Sequence, residues 1–159
     1  MAKVILICGK ICSGKTTYAH RLAKERRAVL LSVDALMLTL FGQHCGDMHD
    51  TYAARTKEYL LARALELLDA DIDVILDWGP WTRSGRAELR EYFTARGISF
   101  ELHAIEISDD LWRARLAKRN AAVESGEVTA YYVDENLAAK FAFRYEAPEA
   151  GEIDVLITE

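Results

Sequence analysis

No apolar run in this sequence approaches the roughly 20 residues that a membrane-spanning helix requires. The apolar stretch near its start, Val4 to Cys8, is too short and too poorly flanked for a secretory signal, and the chain reads as cytoplasmic. Cysteine is sparse and odd in number: Cys8, Cys12 and Cys45 have the spacing of neither a disulfide framework nor a zinc site. Positive charge is not in excess. With 20 basic and 25 acidic residues the net charge is −5, which argues against a long nucleic-acid duplex held by diffuse electrostatics. A small or short substrate in a locally basic cleft stays open. Internal repeats and low-complexity tracts are absent as well. What is left is ordinary globular composition, 51% hydrophobic and 28% charged over 159 residues, about the size of one domain around one core.

What the chain does contain is Gly9-Lys10-Ile11-Cys12-Ser13-Gly14-Lys15-Thr16. It follows the apolar run Val4 to Cys8 and opens into a segment where Ala19, Leu22 and Ala23 recur at helical spacing, giving strand, glycine loop, helix. A phosphate chain needs several N–H donors aimed at one place, and a loop winding into a helix N-terminus provides them with the positive end of the helix dipole. Gly9 and Gly14 allow a tight turn and close approach to the anion. The pattern GxxxxGK[ST] places Lys15 at the β- and γ-phosphates and the Thr16 hydroxyl on Mg²⁺, with the backbone from Gly9 through Thr17 as the nucleotide cradle. Four fixed positions make a chance match in a chain of this size roughly a one-in-a-few-hundred event. An ordinary glycine turn before a helix is the plainer alternative.

Further along, Ala28 to Val33 is a short run without polar alternation, as expected of a strand buried on both faces. Asp34 comes next and reads as the cap of a helix ending at Gly42. Residues Gln43 to Asp50 read as an exposed loop; His44, Cys45 and His49 lack a second ligand pair for a metal. A long helix is expected over Thr51 to Ala70, and then a strand, Ile72 to Asp77. Asp77 would lie at the carboxyl edge where nucleotide ligands gather, in position for a magnesium shell, or else would cap a helix. Thr82 to Arg96 reads as a helix with Arg83 and Arg86 in its first turns, which implies either an anionic neighbour or a solvated face. A fourth strand spans Ile98 to Ile107, and Ser108 caps a helix from Leu111 to Asn120. Its four cations, Arg113, Arg115, Lys118 and Arg119, lack matching acids and imply an anionic neighbour. A helix from Tyr131 to Tyr145 and a last strand, Ile153 to Ile157, complete the pattern. These elements specify a three-layer α/β/α sandwich with a predominantly parallel five-stranded sheet in the order 2-3-1-4-5.

Taken together, the GKICSGKT loop, Ser32-Val33-Asp34, Ile75-Leu76-Asp77 and the run Arg113 to Arg119 resemble the small P-loop kinases of the AAA-like ATP-binding family. These are related to polynucleotide kinases, chloramphenicol phosphotransferases and zeta toxins. The resemblance covers nearly the whole chain and implies a single P-loop NTPase domain over residues 1–159 with a small lid around residues 113–130. It implies Asp34 as the base that accepts the proton of the substrate hydroxyl, Arg115 and Arg119 as lid arginines, Lys15 at the phosphates, and Thr16 with Asp77 at the metal. The chain departs from the pattern where many polynucleotide kinases carry an arginine three residues after the aspartate. Met37 stands there, which counts against a nucleic-acid end as substrate. The sequence reaches its fifth strand without the final helix common among P-loop kinases, so looser base recognition, or recognition from the lid side, is expected. The expected activity is magnesium-dependent transfer of phosphate from ATP to a hydroxyl of a small-molecule or nucleotide-like acceptor. A polynucleotide 5′-hydroxyl kinase and a regulatory or toxin-like module that binds ATP without efficient turnover are the alternatives.

Overall fold

The structure, a computed structural model, describes residues 1–158. In chain order it contains β1 (Lys3–Gly9), α1 (Lys15–Arg26), β2 (Val29–Ser32), α2 (Val33–Phe41), a 3-10 turn (Gly46–Met48), α3 (His49–Asp69), β3 (Val74–Asp77), α4 (Arg83–Thr94), β4 (Ser99–Glu106), α5 (Asp109–Glu124), α6 (Glu135–Arg144) and β5 (Val155–Thr158). The strands form one sheet in the order β2-β3-β1-β4-β5, all pairs parallel, as the sequence leads one to expect. None of the described helices is long and apolar enough to cross a membrane.

β1 lies in the middle because it is the most uniformly apolar segment, and Val4 to Cys8 lose all contact with solvent. Alternate residues point to opposite faces. Val4, Leu6 and Cys8 pack with Val33 and Met37 of α2, Leu60 and Ala64 of α3 and Phe93 of α4. Ile5 and Ile7 pack with Ala19 and Leu22 of α1. Each fully buried Ile or Leu contributes about 1.5–3 kcal/mol, so this strand anchors both layers. The one polar residue deep in β4, His103, is satisfied by the Tyr18 hydroxyl at 2.8 Å and by Glu101 at 3.1 Å.

Local expectations are corrected in three places. β2 is an edge strand, half-buried at each of its four residues rather than enclosed on both faces. Asp34 is not the cap of α2. The helix starts at Val33, two residues earlier than such a cap would have it, and the Ser32 hydroxyl accepts the Ala35 N–H at 3.3 Å, leaving Asp34 inside the first turn. α6 starts at Glu135 and not at Tyr131, because the Asn120 side chain donates to Val133 O at 2.7 Å and accepts from Val133 N at 3.1 Å. That pairing holds the preceding backbone out of the helix, and Asp134 caps α6 in its place.

The anionic neighbours expected for Arg83 and Arg86 are carboxylates of the chain itself. Together with Arg90 these arginines recur along one face of α4 and grip the chain's own acidic segment. Arg86 is 2% exposed and donates to Glu152 at 2.9 and 3.1 Å and to Glu146 O at 2.7 Å. Arg83 pairs with Glu149 at 2.7 Å and Arg90 with Asp154 at 2.9 Å. This clasp fixes the path from α6 into β5.

Candidate active site at the strand ends

The parallel register sets Ser32 beside Asp77 and Leu6 beside Leu76, so β1, β2 and β3 end together on one edge of the sheet. The loop after β1 folds back over that edge. A Cβ on Gly9 would lie 2.6 Å from Ser13 Oγ and 2.9 Å from Ile105 O, and Gly14 has φ +97°, so both glycines are dictated by the turn. Cys12 also takes the left-handed conformation, φ 57°. No side chain caps α1 and no acid occupies its first turn, whereas Ser32, Thr82, Ser108 and Asp134 cap α2, α4, α5 and α6. The first amides of α1 therefore remain available to an anion. Ser13 Oγ is buried in the same loop without a hydrogen-bond partner.

Lys15 Nζ curls over the loop, donating to Gly9 O at 2.9 Å and Lys10 O at 2.6 Å. Crowding by protein lowers its pKa, while the nearby Asp77 carboxylate opposes that shift. Thr16 Oγ1 donates to Asp77 Oδ2 at 2.8 Å. Asp77 is buried and does not cap α4, whose cap is Thr82. The oxygen atoms of Thr16 and Asp77 are a donor set suited to a hard divalent cation.

Two α5 arginines reach the loop. Arg115 Nη1 donates to Ser13 O at 2.9 Å. One turn on, Arg119 Nη1 donates to Cys12 Sγ at 3.2 Å and Nη2 to Tyr131 O at 3.2 Å. Arg113 turns away to Asp110 at 3.6 Å. Arg115 and Arg119 thus reach a loop carbonyl and a loop thiol.

Asp34 stands across the edge from these cations. Solvent reaches its side chain, yet the surrounding protein raises its pKa by desolvation, reinforced by Asp77; Lys15, Arg119 and His49 pull the other way. Segments 43–49 and 130–133 close this side. Gln43 Nε2 donates to Ala130 O at 2.6 Å, and the His49 and Tyr131 rings meet edge to face with centroids 6.1 Å apart. On the opposite side of the loop a cavity of about 410 Å³ is lined by Lys10, Ile11, Trp112, Phe141 and Tyr145, among others. Trp112 Nε1 donates to Ile11 O at 2.8 Å, fixing the indole against the loop.

The sequence singles out Lys15, Thr16, Asp34, Asp77, Arg115 and Arg119, and the fold brings all six to this edge. Two residues of the site escape a reading of the sequence: Trp112, which has the spacing of a core residue, and Tyr131, which has that of a helix. A polar-edged aromatic shortly before a capping Asp was the available sign for Tyr131.

A family model described as an AAA domain matches residues 4–147. Among solved structures, the chain is similar to Kti12 of Chaetomium thermophilum in complex with ADP-AlF3, with a TM-score of 0.71 at 19% identity over 98% of this chain and 88% of that one. It is similar to the APS kinase CysC of Mycobacterium tuberculosis in complex with AMPPNP and APS, with a TM-score of 0.62 at 21% identity over 99% and 88%. A gluconokinase from Sinorhizobium meliloti 1021 gives a TM-score of 0.60 at 18% identity over 98% and 81%. At such identities the likeness is one of fold. No curated protein matches the chain.

Proposed function

The chain belongs to the AAA domain family, and from that premise we propose that it is an ATP-dependent phosphotransferase acting on a hydroxyl of a small-molecule or nucleotide-like acceptor. The observation that carries this reading is the convergence of three things on one sheet edge. These are a phosphate loop with an uncapped helix start, two arginines already touching that loop, and Asp34 facing them.

Phosphoryl transfer asks a protein chiefly for positioning and charge neutralisation. The α1 amides and Lys15 hold the phosphate chain, and Arg115 and Arg119, on the lid that α5 and the residues after it form, neutralise charge on the transferring group. Asp34 takes the proton of the acceptor hydroxyl as that oxygen bonds to the γ-phosphorus. The bond from the γ-phosphorus to the β–γ bridging oxygen breaks, and ADP leaves with the electron pair. A carboxylate whose pKa is raised by its surroundings is a better base than one in water. Thr16 and Asp77 would hold Mg²⁺, which when bound supplies charge neutralisation at the phosphate oxygens. Among the described residues no three His, Cys, Asp or Glu side chains gather as a protein-only metal cage, so such an ion would draw other ligands from phosphate and water, as Mg²⁺ commonly does. The base of ATP sits in the cavity beside Trp112, Phe141 and Tyr145, recognised from the α5 and α6 side.

Met37 bears on the acceptor. It is 1% exposed in the core and accepts from Thr56 Oγ1 at 3.3 Å, so it offers no cation for the phosphate of a nucleic-acid end. The test is a screen of alcohols with labelled ATP, comparing the wild type with Asp34→Asn. Transfer by the wild type and its loss in the variant supports the reading; ATP binding with no transfer to any acceptor would leave a nucleotide-binding module instead.

A further inference from the structure

We propose that His49 and Tyr131, beside Asp34, form the seat of the phosphate acceptor, and that this seat takes an uncharged polyol, a free sugar or nucleoside, bearing no phosphate, sulfate or carboxylate. The inference rests on the phosphotransferase reading and narrows it.

Tyr131 is the starting point. Its hydroxyl is shielded from solvent and has no hydrogen-bond partner, although the ring is only half-buried and packs edge-on against His49. An unpaired buried hydroxyl is unfavourable, and a ligand hydroxyl arriving beside it would relieve that. The hydroxyl lies close enough to Asp34 to feel its charge. One group able to share a hydrogen bond with an alcohol and one able to take a proton from it therefore stand together. The Gln43 to Ala130 hydrogen bond ties the segment after α2 to the one that carries Tyr131, and the Asn120 pairing with Val133 holds Tyr131 outside α6.

Charge then selects the class of alcohol. Three cations lie at this edge, and each is engaged with the phosphate loop: Lys15 with Gly9 O and Lys10 O, Arg115 with Ser13 O, and Arg119 with Cys12 Sγ as well as Tyr131 O. The carboxylates of Asp34 and Asp77 lie on the same side. His49 is turned toward Asp50, Nδ1 to Oδ1 at 3.2 Å, and Met37, where a cation would help, is in the core. An anionic substituent on the acceptor would meet two like charges and no cation not already occupied at the loop. A hydroxyl-rich neutral molecule meets hydrogen-bonding groups and an aromatic wall.

The experiment uses the full chain with labelled ATP and matched acceptors: glucose against glucose phosphate, and uridine against uridine monophosphate. The two pairs separate sugar from nucleoside. The expected result is a kcat/KM at least about tenfold higher for the phosphate-free member of one pair. Tyr131→Phe, which keeps the ring against His49, should raise the acceptor KM about tenfold, the equivalent of one lost hydrogen bond, with the KM for ATP unchanged. His49→Gln, measured alongside, should move the acceptor KM in the same direction. Preference for the phosphorylated members, or an unaltered acceptor KM in folded Tyr131→Phe, overturns the inference and leaves the phosphotransferase standing. Absence of transfer to every acceptor while ATP still binds by calorimetry overturns both.

Discussion

Thr16 Oγ1 and Asp77 Oδ2 share a hydrogen bond of 2.8 Å, linking the first turn of α1 to the end of β3 across 61 positions of sequence. The pair exists because β1 and β3 are direct neighbours in register, Leu6 against Leu76, so that the residues after one strand fall beside the last residue of the other. While it donates to Asp77 the Thr16 hydroxyl keeps lone pairs free for a cation, so the two oxygens can serve the same ion together.

Asp77→Asn should therefore separate metal from nucleotide. An amide can still accept from Thr16 but is a poor ligand for a hard cation. In titration calorimetry, ATP affinity in the presence of a chelator should stay within about twofold of the wild type, while the gain on adding Mg²⁺ should shrink about tenfold, some 1.4 kcal/mol. An undiminished magnesium gain would remove Asp77 from the metal site.

Lys15→Ala removes the cation that arches over the loop between Gly9 O and Lys10 O. Charge-assisted contacts to phosphate are worth about 1.5–3 kcal/mol each, so ATP affinity should fall by about a hundredfold. The half-buried side chain lies outside the apolar clusters, and circular dichroism and the melting temperature should be nearly those of the wild type. Unchanged ATP affinity in the folded variant would refute the phosphate-loop assignment.

The Arg86 to Glu152 pair governs stability rather than chemistry. Removing one partner of a buried pair leaves the other uncompensated, and Arg86→Ala should cost about 3 kcal/mol in urea unfolding at neutral pH. The hydrogen bond from Arg86, the leading influence, holds the Glu152 pKa below the usual glutamate value. The stabilisation is therefore present above the unfolded pKa of about 4.3 and is lost as pH falls through the lower folded value. The wild type should lose its advantage over Arg86→Ala across that acidic window. A constant difference at all pH values would show that lost packing, not the ion pair, is responsible.

The loop and the sheet order were legible because they are written locally: fixed glycine spacing, uniform apolar runs, right-handed crossovers. The partners of the charged side chains were not. Arg83, Arg86 and Arg90 find their acids more than 60 positions later, and no periodicity within α4 reveals them. Asp34 looked like a cap because a cap-forming residue preceded an apolar run, but Ser32 qualified equally and won by ending β2 in extended backbone. Tyr131 looked helical because its partner in breaking the helix, Asn120, lies in another element.

Arg119 contacts Cys12 and the backbone of Tyr131 at once, joining the phosphate loop to the proposed acceptor seat. Arg119→Ala should lower kcat by about 10²-fold, as losing a contact to transition-state charge does, with the KM for ATP changed far less. Steady-state kinetics with a confirmed acceptor decide the matter. An equal loss in kcat/KM for ATP and for acceptor with kcat intact would make this arginine a binding contact only.

Asp34→Asn is a cleaner substitution than it would be if Asp34 capped α2. Ser32 holds that role, so the exchange disturbs no helix start. Desolvation and the charge of Asp77 raise the Asp34 pKa. A carboxyl group with a raised folded pKa gives stability that is full below the unfolded pKa of about 3.9 and is lost as pH rises through the folded value. At neutral pH the ionised side chain is thus mildly unfavourable to the fold. Asparagine carries no such charge, and the variant should melt at the same temperature as the wild type or slightly higher, with ATP affinity within about threefold. Catalysis should move the other way. Asparagine cannot take up the acceptor proton, so phosphorylation of a confirmed acceptor should drop by about 10²-fold or more. In the wild type, kcat should fall on the acidic side with a midpoint above the ordinary aspartate value, and that acidic limb should vanish in the variant. Full activity in Asp34→Asn, or an acidic limb that persists in it, would move proton transfer to another group.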